Sequence, residues 1–127
     1  MKKVLGTSVL VIAIIACGGS NEKKSNETTA TNSTNSLSSN PDYTKGLELI
    51  GKSDCLTCHK ANEKNIGPAY KDVAAKYENT DENIKMLAGK IIKGGSGVWG
   101  NIPMTPHPAL SQDDAEAMVK YVLLLKK

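Results

Sequence analysis

Cys55-Leu56-Thr57-Cys58-His59 sets two thiols three residues apart, with an imidazole directly after the second. Thiols at that spacing can form thioethers to the two vinyl groups of one haem, and the histidine that follows then projects toward the iron. On this reading Cys55 and Cys58 hold one covalently bound haem c, and His59 is the proximal axial ligand. Two other chemistries use the same residue types. A zinc ion needs four ligands in a tetrahedron. Cys55, Cys58 and the distant His107 supply three, but the fourth must be the adjacent His59 or a carboxylate, and neighbouring residues serve one tetrahedral ion poorly. A thioredoxin-like redox pair expects a βαβ setting, and the chain offers none.

A haem iron held on one side needs a second axial ligand from elsewhere, and a thioether is a good soft donor that raises the potential relative to histidine. Of the four methionines, Met1 leaves with the N-terminal segment, and Met86 and Met118 sit at helical spacing among apolar neighbours, where core packing is expected. Met104 stands in Ile102-Pro103-Met104-Thr105-Pro106, a loop stiff enough to hold a sulfur in place. Met104 is the candidate. The rival is His107, whose plainer reading is an exposed loop residue.

Four helices are expected to position these groups, at about Tyr43–Lys52, Ala69–Tyr77, Asp81–Lys93 and from Ser111 to the end of the chain. Ile84, Leu87, Ala88 and Ile91 form a stripe in the third, which Gly94-Gly95 ends. The fourth has a capping box, Ser111 with Asp114, and Ala115, Met118, Val119, Val122 and Leu123 at helical spacing. Lys126 and Lys127 complement its dipole. No run alternates with period two, so strands are not expected. Three prolines make 97–109 an extended loop. The expected class is all-α.

The N-terminal third reads differently. Lys2 and Lys3 precede an apolar run, Val4 to Ala16, which is too short to span a bilayer but suits export. It closes at Ala16-Cys17, which resembles a bacterial lipoprotein signal. That resemblance implies lipidation of Cys17 as the mature N-terminus, with residues 1–16 removed. The alternative leaves a spare reactive thiol. Residues 17–41 are nearly free of apolar side chains and are expected to be a disordered tether. About 24 flexible residues reach roughly 25–30 Å. The domain is expected at 42–127.

All 16 basic residues are Lys, interspersed with 13 acids. That mixture excludes a nucleic-acid footprint. Phe is absent and aromatic residues make up 4%. So small a domain needs more core than these side chains supply, and a large flat apolar cofactor would provide it.

Three stretches together resemble the class I cytochromes c, in particular the small bacterial five-fifty-one/five-fifty-two type: Cys55 to His59, Gly67-Pro68-Ala69-Tyr70-Lys71-Asp72-Val73-Ala74, and Gly97-Val98-Trp99-Gly100-Asn101-Ile102-Pro103-Met104. The resemblance covers about Asp42 to Lys127. It implies the small single-haem cytochrome c fold, about four helices around the haem. It also implies that the Pro68 carbonyl takes a hydrogen bond from His59, that the Trp99 ring N–H meets a haem propionate, and that Lys90 lies near a propionate. The family often has Asn where this chain has His107, bonding the methionine sulfur. Here an imidazole either makes that bond or turns to solvent, and a potential that varies with pH is expected if it bonds.

The function this implies is one-electron transport, not catalysis, with His59 and Met104 closing both faces of the iron. Redox protein partners such as reductase or oxidase complexes are expected, along with attachment to a bacterial membrane through the N-terminal lipid, outside the cytoplasm. A monomer is expected. Lys60, Lys64 and Lys90 form a candidate basic rim. Two alternatives stay open: a gas sensor or peroxidase-like enzyme with an open iron position, and a fixed subunit of a respiratory complex.

Overall fold

In the computed structural model, which describes residues 37–126, Asn40 starts the first helix by accepting the backbone N–H of Asp42 at 2.9 Å. Pro41 follows at the first helical position, where its missing N–H removes no hydrogen bond. Helix α1 (Pro41–Lys52) thus begins two residues before the expected start and ends as expected. The proposed signal, the lipidation site Cys17 and most of the tether lie outside the described residues. Among the described residues no helix is long and apolar enough to cross a membrane.

A one-turn helix, α2 (Cys55–Cys58), carries the cysteine pair. Helix α3 (Tyr70–Lys76) buries Tyr70 and Ala74. Helix α4 (Asp81–Lys93) opens on Thr80, whose hydroxyl accepts the Asn83 N–H at 3.3 Å. It ends at Gly94, where φ of 74° favours a residue without a Cβ. Added bulk there would also run into the Met104 carbonyl. Helix α5 (Gln112–Leu124) opens on Ser111, which accepts the Asp114 N–H at 3.1 Å. The return bond departs from the capping-box pattern, since the Asp114 carboxylate accepts the Ser111 hydroxyl rather than its backbone N–H. Lys126 also departs from expectation: it pairs with Glu78 at 2.6 Å, tying the end of the chain to the α3–α4 turn.

Helix α5 is the hub. Met118, Tyr121 and Val122 pack with Ile50 and Tyr70, while Ala115, Val119 and Leu123 pack with Ile84 and Ala88. Its most extensive contact is with α1. The close approach falls at Gly46, where a Cβ would collide with the Ala117 carbonyl and the Tyr121 side chain.

Two expectations need correction. The stretch after α4 is not all loop: β1 (Gly95–Gly97) pairs antiparallel with β2 (Gly100–Met104) around a Val98-Trp99 tip. Gly97 and Gly100 flank that tip with φ of 96° and 122°, which glycine adopts without strain. The pairing is made by backbone, so it leaves no alternating pattern in the sequence. Met86 is exposed rather than packed in the core, because it falls off the Ile84, Leu87, Ala88, Ile91 stripe of α4. Met118 is fully buried, as expected.

Candidate functional site: a haem-binding cavity

Helix α2 turns the Cys55 and Cys58 side chains toward one cavity, and the chain leaves the helix in an extended conformation at His59. Both thiols are free and half-buried. Burial pushes the Cys55 thiol above its ordinary range, and the neighbouring Asp54 carboxylate adds to the shift. Redox-active cysteines sit in electropositive sites that lower the thiol pKa, so this environment is the opposite of a thioredoxin-like one. Nor do three or more His, Cys, Asp or Glu side chains converge on a metal position among the described residues.

His59 is held on several sides. Its Nδ1 lies 2.8 Å from the Pro68 carbonyl oxygen. A carbonyl only accepts, so Nδ1 carries the proton and Nε2 keeps its lone pair. Nε2 has no hydrogen-bond partner among the described residues. Tyr70 stacks on the ring, with centroids 5.4 Å apart and planes inclined by 18°. Gly67 presses on the ring from another side, where a Cβ would come within 2.5 Å of it. Burial of Tyr70 pushes its hydroxyl far above the usual tyrosine range, so the ring beside His59 stays neutral.

The remaining wall comes from elsewhere in the chain. Met104, at the end of β2, is half-buried and lines the same cavity as His59. Trp99 lines it from the hairpin tip, and its ring N–H has no partner among the described residues. The Lys76 ammonium lies 5.7 Å from the Trp99 ring centroid, a cation–π contact that spacing along the chain did not reveal. Lys64 and Lys90 also border the cavity, whereas Lys60 is exposed outside its lining.

The space measures about 520 Å³, within the range of cofactor sites. Its walls include Ile50, Leu87, Val98, Ile102 and Val122. A flat apolar group with two reactive vinyls fits this arrangement. The apolar walls match the macrocycle, the thiols lie at its edge, and a free imidazole lone pair reaches into the space.

His107 is not an exposed loop residue. Its Nε2 donates to Asp54 Oδ1 at 2.8 Å, and its side chain is 19% exposed. Its Nδ1 is buried without a partner. The hydrogen bond from His107 in turn holds the Asp54 carboxyl below the usual carboxylate range. This pair was missed because the residues stand 53 positions apart.

The cytochrome c family profile matches residues 43–126. The chain belongs to the cytochrome c family. The cytochrome is 48% identical over 79 residues to cytochrome c-552 of Nitrosomonas europaea, covering 62% of this chain and 77% of that one. It is 45% identical over 78 residues to cytochrome c-551 of Pseudomonas aeruginosa, covering 61% and 74%. The crystal structure of the Nitrosomonas europaea protein superposes with a TM-score of 0.59, covering 63% of this chain and 99% of that chain. The cytochrome therefore has the small class I fold and carries one haem c, attached through Cys55 and Cys58. It is an electron-transfer protein, not an enzyme. The haem supplies an iron that takes up and releases one electron.

Proposed function

We propose that the cytochrome is a lipid-anchored one-electron carrier of a respiratory chain, with His59 and Met104 as the two axial ligands. The observation that carries the ligand assignment is the His59–Pro68 bond of 2.8 Å, which leaves Nε2 unpartnered in the cavity that Met104 also lines. A ring fixed at Nδ1 offers one defined lone pair, in the right tautomer, without reorganising. Met104 suits the second position because the hairpin sets it at the cavity wall and its thioether favours the reduced iron. With His59 and Met104 both holding the iron, no position would remain for a substrate, and little would have to move when the electron comes or goes.

Trp99 and Lys90 are assigned to the haem propionates. Each lines the cavity with a donor that has no hydrogen-bond acceptor in the described residues. Lys90 is a point charge on a flexible stem, so its pairing is loose. Attachment rests on the sequence: the apolar run ending at Ala16-Cys17 supports export and lipidation, and the polar segment that follows supports a tether. A tethered domain searches near the membrane surface, which raises the effective concentration of its partners.

Absorbance spectra of the haem-loaded domain test the ligand assignment. A weak charge-transfer band at the red edge of the oxidised spectrum, with no response to carbon monoxide after reduction, is expected. Met104→Ala should remove the band. A reduced wild type that binds carbon monoxide readily would instead mean an open iron and a sensor or enzyme. Cys17→Ser should move the protein from the membrane to the soluble fraction. Co-purification with an oxidase or reductase in mild detergent would identify a fixed subunit rather than a mobile carrier.

A further inference from the structure

From β1 to His107 the chain is held by the backbone pairing of the hairpin and the Lys76–Trp99 contact, not by polar side chains. Among the described residues, no side chain from Gly95 to Pro106 makes a hydrogen bond or an ion pair, although Ser96, Asn101 and Thr105 all could. The first polar side-chain tie after Met104 is His107 to Asp54. The backbone of His107 is fixed as well: its N–H donates to the Ile91 carbonyl at 3.0 Å, and its carbonyl accepts from Leu110 at 3.1 Å.

Asp54 is the residue before Cys55 and the N-cap of α2. An Asp in that place normally accepts a backbone N–H of its own helix. Here it makes no such bond, and its carboxylate reaches His107 instead. The two partners differ in exposure. The Asp54 side chain is 75% exposed and that of His107 is 19%, so the carboxylate closes over the imidazole from the solvent side. Both residues line the haem cavity.

We propose that Asp54 and His107 are positioning residues that latch the segment following Met104 to the segment preceding Cys55, and so limit how often the methionine leaves the iron. The proposal rests on Met104 being the axial ligand. Its geometry is direct. One end of the latch is adjacent to a covalent haem attachment, and the other is three residues from the ligand. Opening the loop to withdraw Met104 must strain or break the bond. The orientation of the ring follows too. A carboxylate only accepts, so Nε2 carries a proton, and Nδ1 is the atom turned inward. This position thus holds its loop by reaching outward to Asp54.

Cyanide binding to the oxidised holoprotein tests the latch. Cyanide takes the position that Met104 vacates, so loss of the methionine charge-transfer band reads how often the loop opens. Asp54→Ala and His107→Ala should each accelerate displacement by roughly fivefold, the scale of one net hydrogen bond. The double variant should be no faster than the faster single one, because both changes break one interaction. Asp54→Asn keeps an acceptor for Nε2–H and should recover most of the wild-type rate. Rates within twofold of wild type, or effects that multiply in the double variant, overturn the latch. A wild-type oxidised spectrum without the band overturns the methionine reading itself, and the latch with it.

Discussion

Helices α1, α4 and α5 bury Ile50, Ile84, Met118 and Leu123 against one another, whereas the hairpin leaves Val98 and Ile102 at 50% and 65% exposure to the cavity and solvent. The helical side is packed mainly by protein side chains, with Ile50, Met118 and Val122 also turned toward the cavity. The hairpin side has apolar residues but no opposing protein layer. The lesson is that this fold divides its core between two materials. Helices complete one half, and the covalent haem completes the other.

The largest effect expected from that division comes from removing the haem. The double variant Cys55→Ala, Cys58→Ala should lose most of its helical circular dichroism at 25 °C, because a domain this small cannot replace so much buried surface. A variant that keeps its helices would show that the helical half stands alone, and the comparison would break. Next in size is Met118→Ala, which empties the centre of the helical half. It should cost about 2–5 kcal/mol in denaturant unfolding of the holoprotein. Gly46→Ala drives a methyl into the α1–α5 crossing and should cost about 1–3 kcal/mol. Gly51→Ala, five residues further along α1 with nothing within 4 Å of the new methyl, should instead stabilise by about 0.5–1 kcal/mol. Equal effects at the two glycines would mean that the crossing is looser than the packing shows.

The smallest effect concerns pH. Asp54 has its carboxyl lowered in the folded protein, chiefly by the hydrogen bond from His107. A lowered native value means that the contribution is present above the ordinary carboxylate range, near pH 4, and is lost as pH falls through the native value. Asp54→Ala should therefore slightly lower stability near neutrality and merge with the wild type below the native value, which flattens the acid side of the stability profile. Urea midpoints measured between pH 2 and 7 would show it, and an unchanged acid limb would sever Asp54 from His107.

Much of the helical half was legible in the sequence because its determinants are local. The α4 stripe with Gly94 at its end, and the α5 stripe behind Ser111, give the observed helices almost to the residue. The cysteine–histidine cluster was legible because its chemistry fixes its spacing. What escaped notice was nonlocal or too short. One turn at Cys55–Cys58 has no room for a period. The hairpin is held by backbone pairing between glycine-rich strands, which any side-chain pattern misses. Met86 carries an apolar side chain in a helix and still faces outward, since residue type counts for less than position on the stripe. His107 acquires its setting from Asp54, on the far side of the domain sequence, and no spacing rule connects them.

The crossing at Gly46 also fixes when the domain can fold. It joins the first helix to the last, so the principal helix contact cannot form until almost the whole domain has been made and freed. Contacts this distant along the chain require a large loop to close before they return any stability. A growing chain that already has Cys55 and Cys58 still lacks α5, the hub of both clusters. The two thiols are thus offered in an open chain, and the fold shuts around the cofactor from the C-terminal end, last helix onto first.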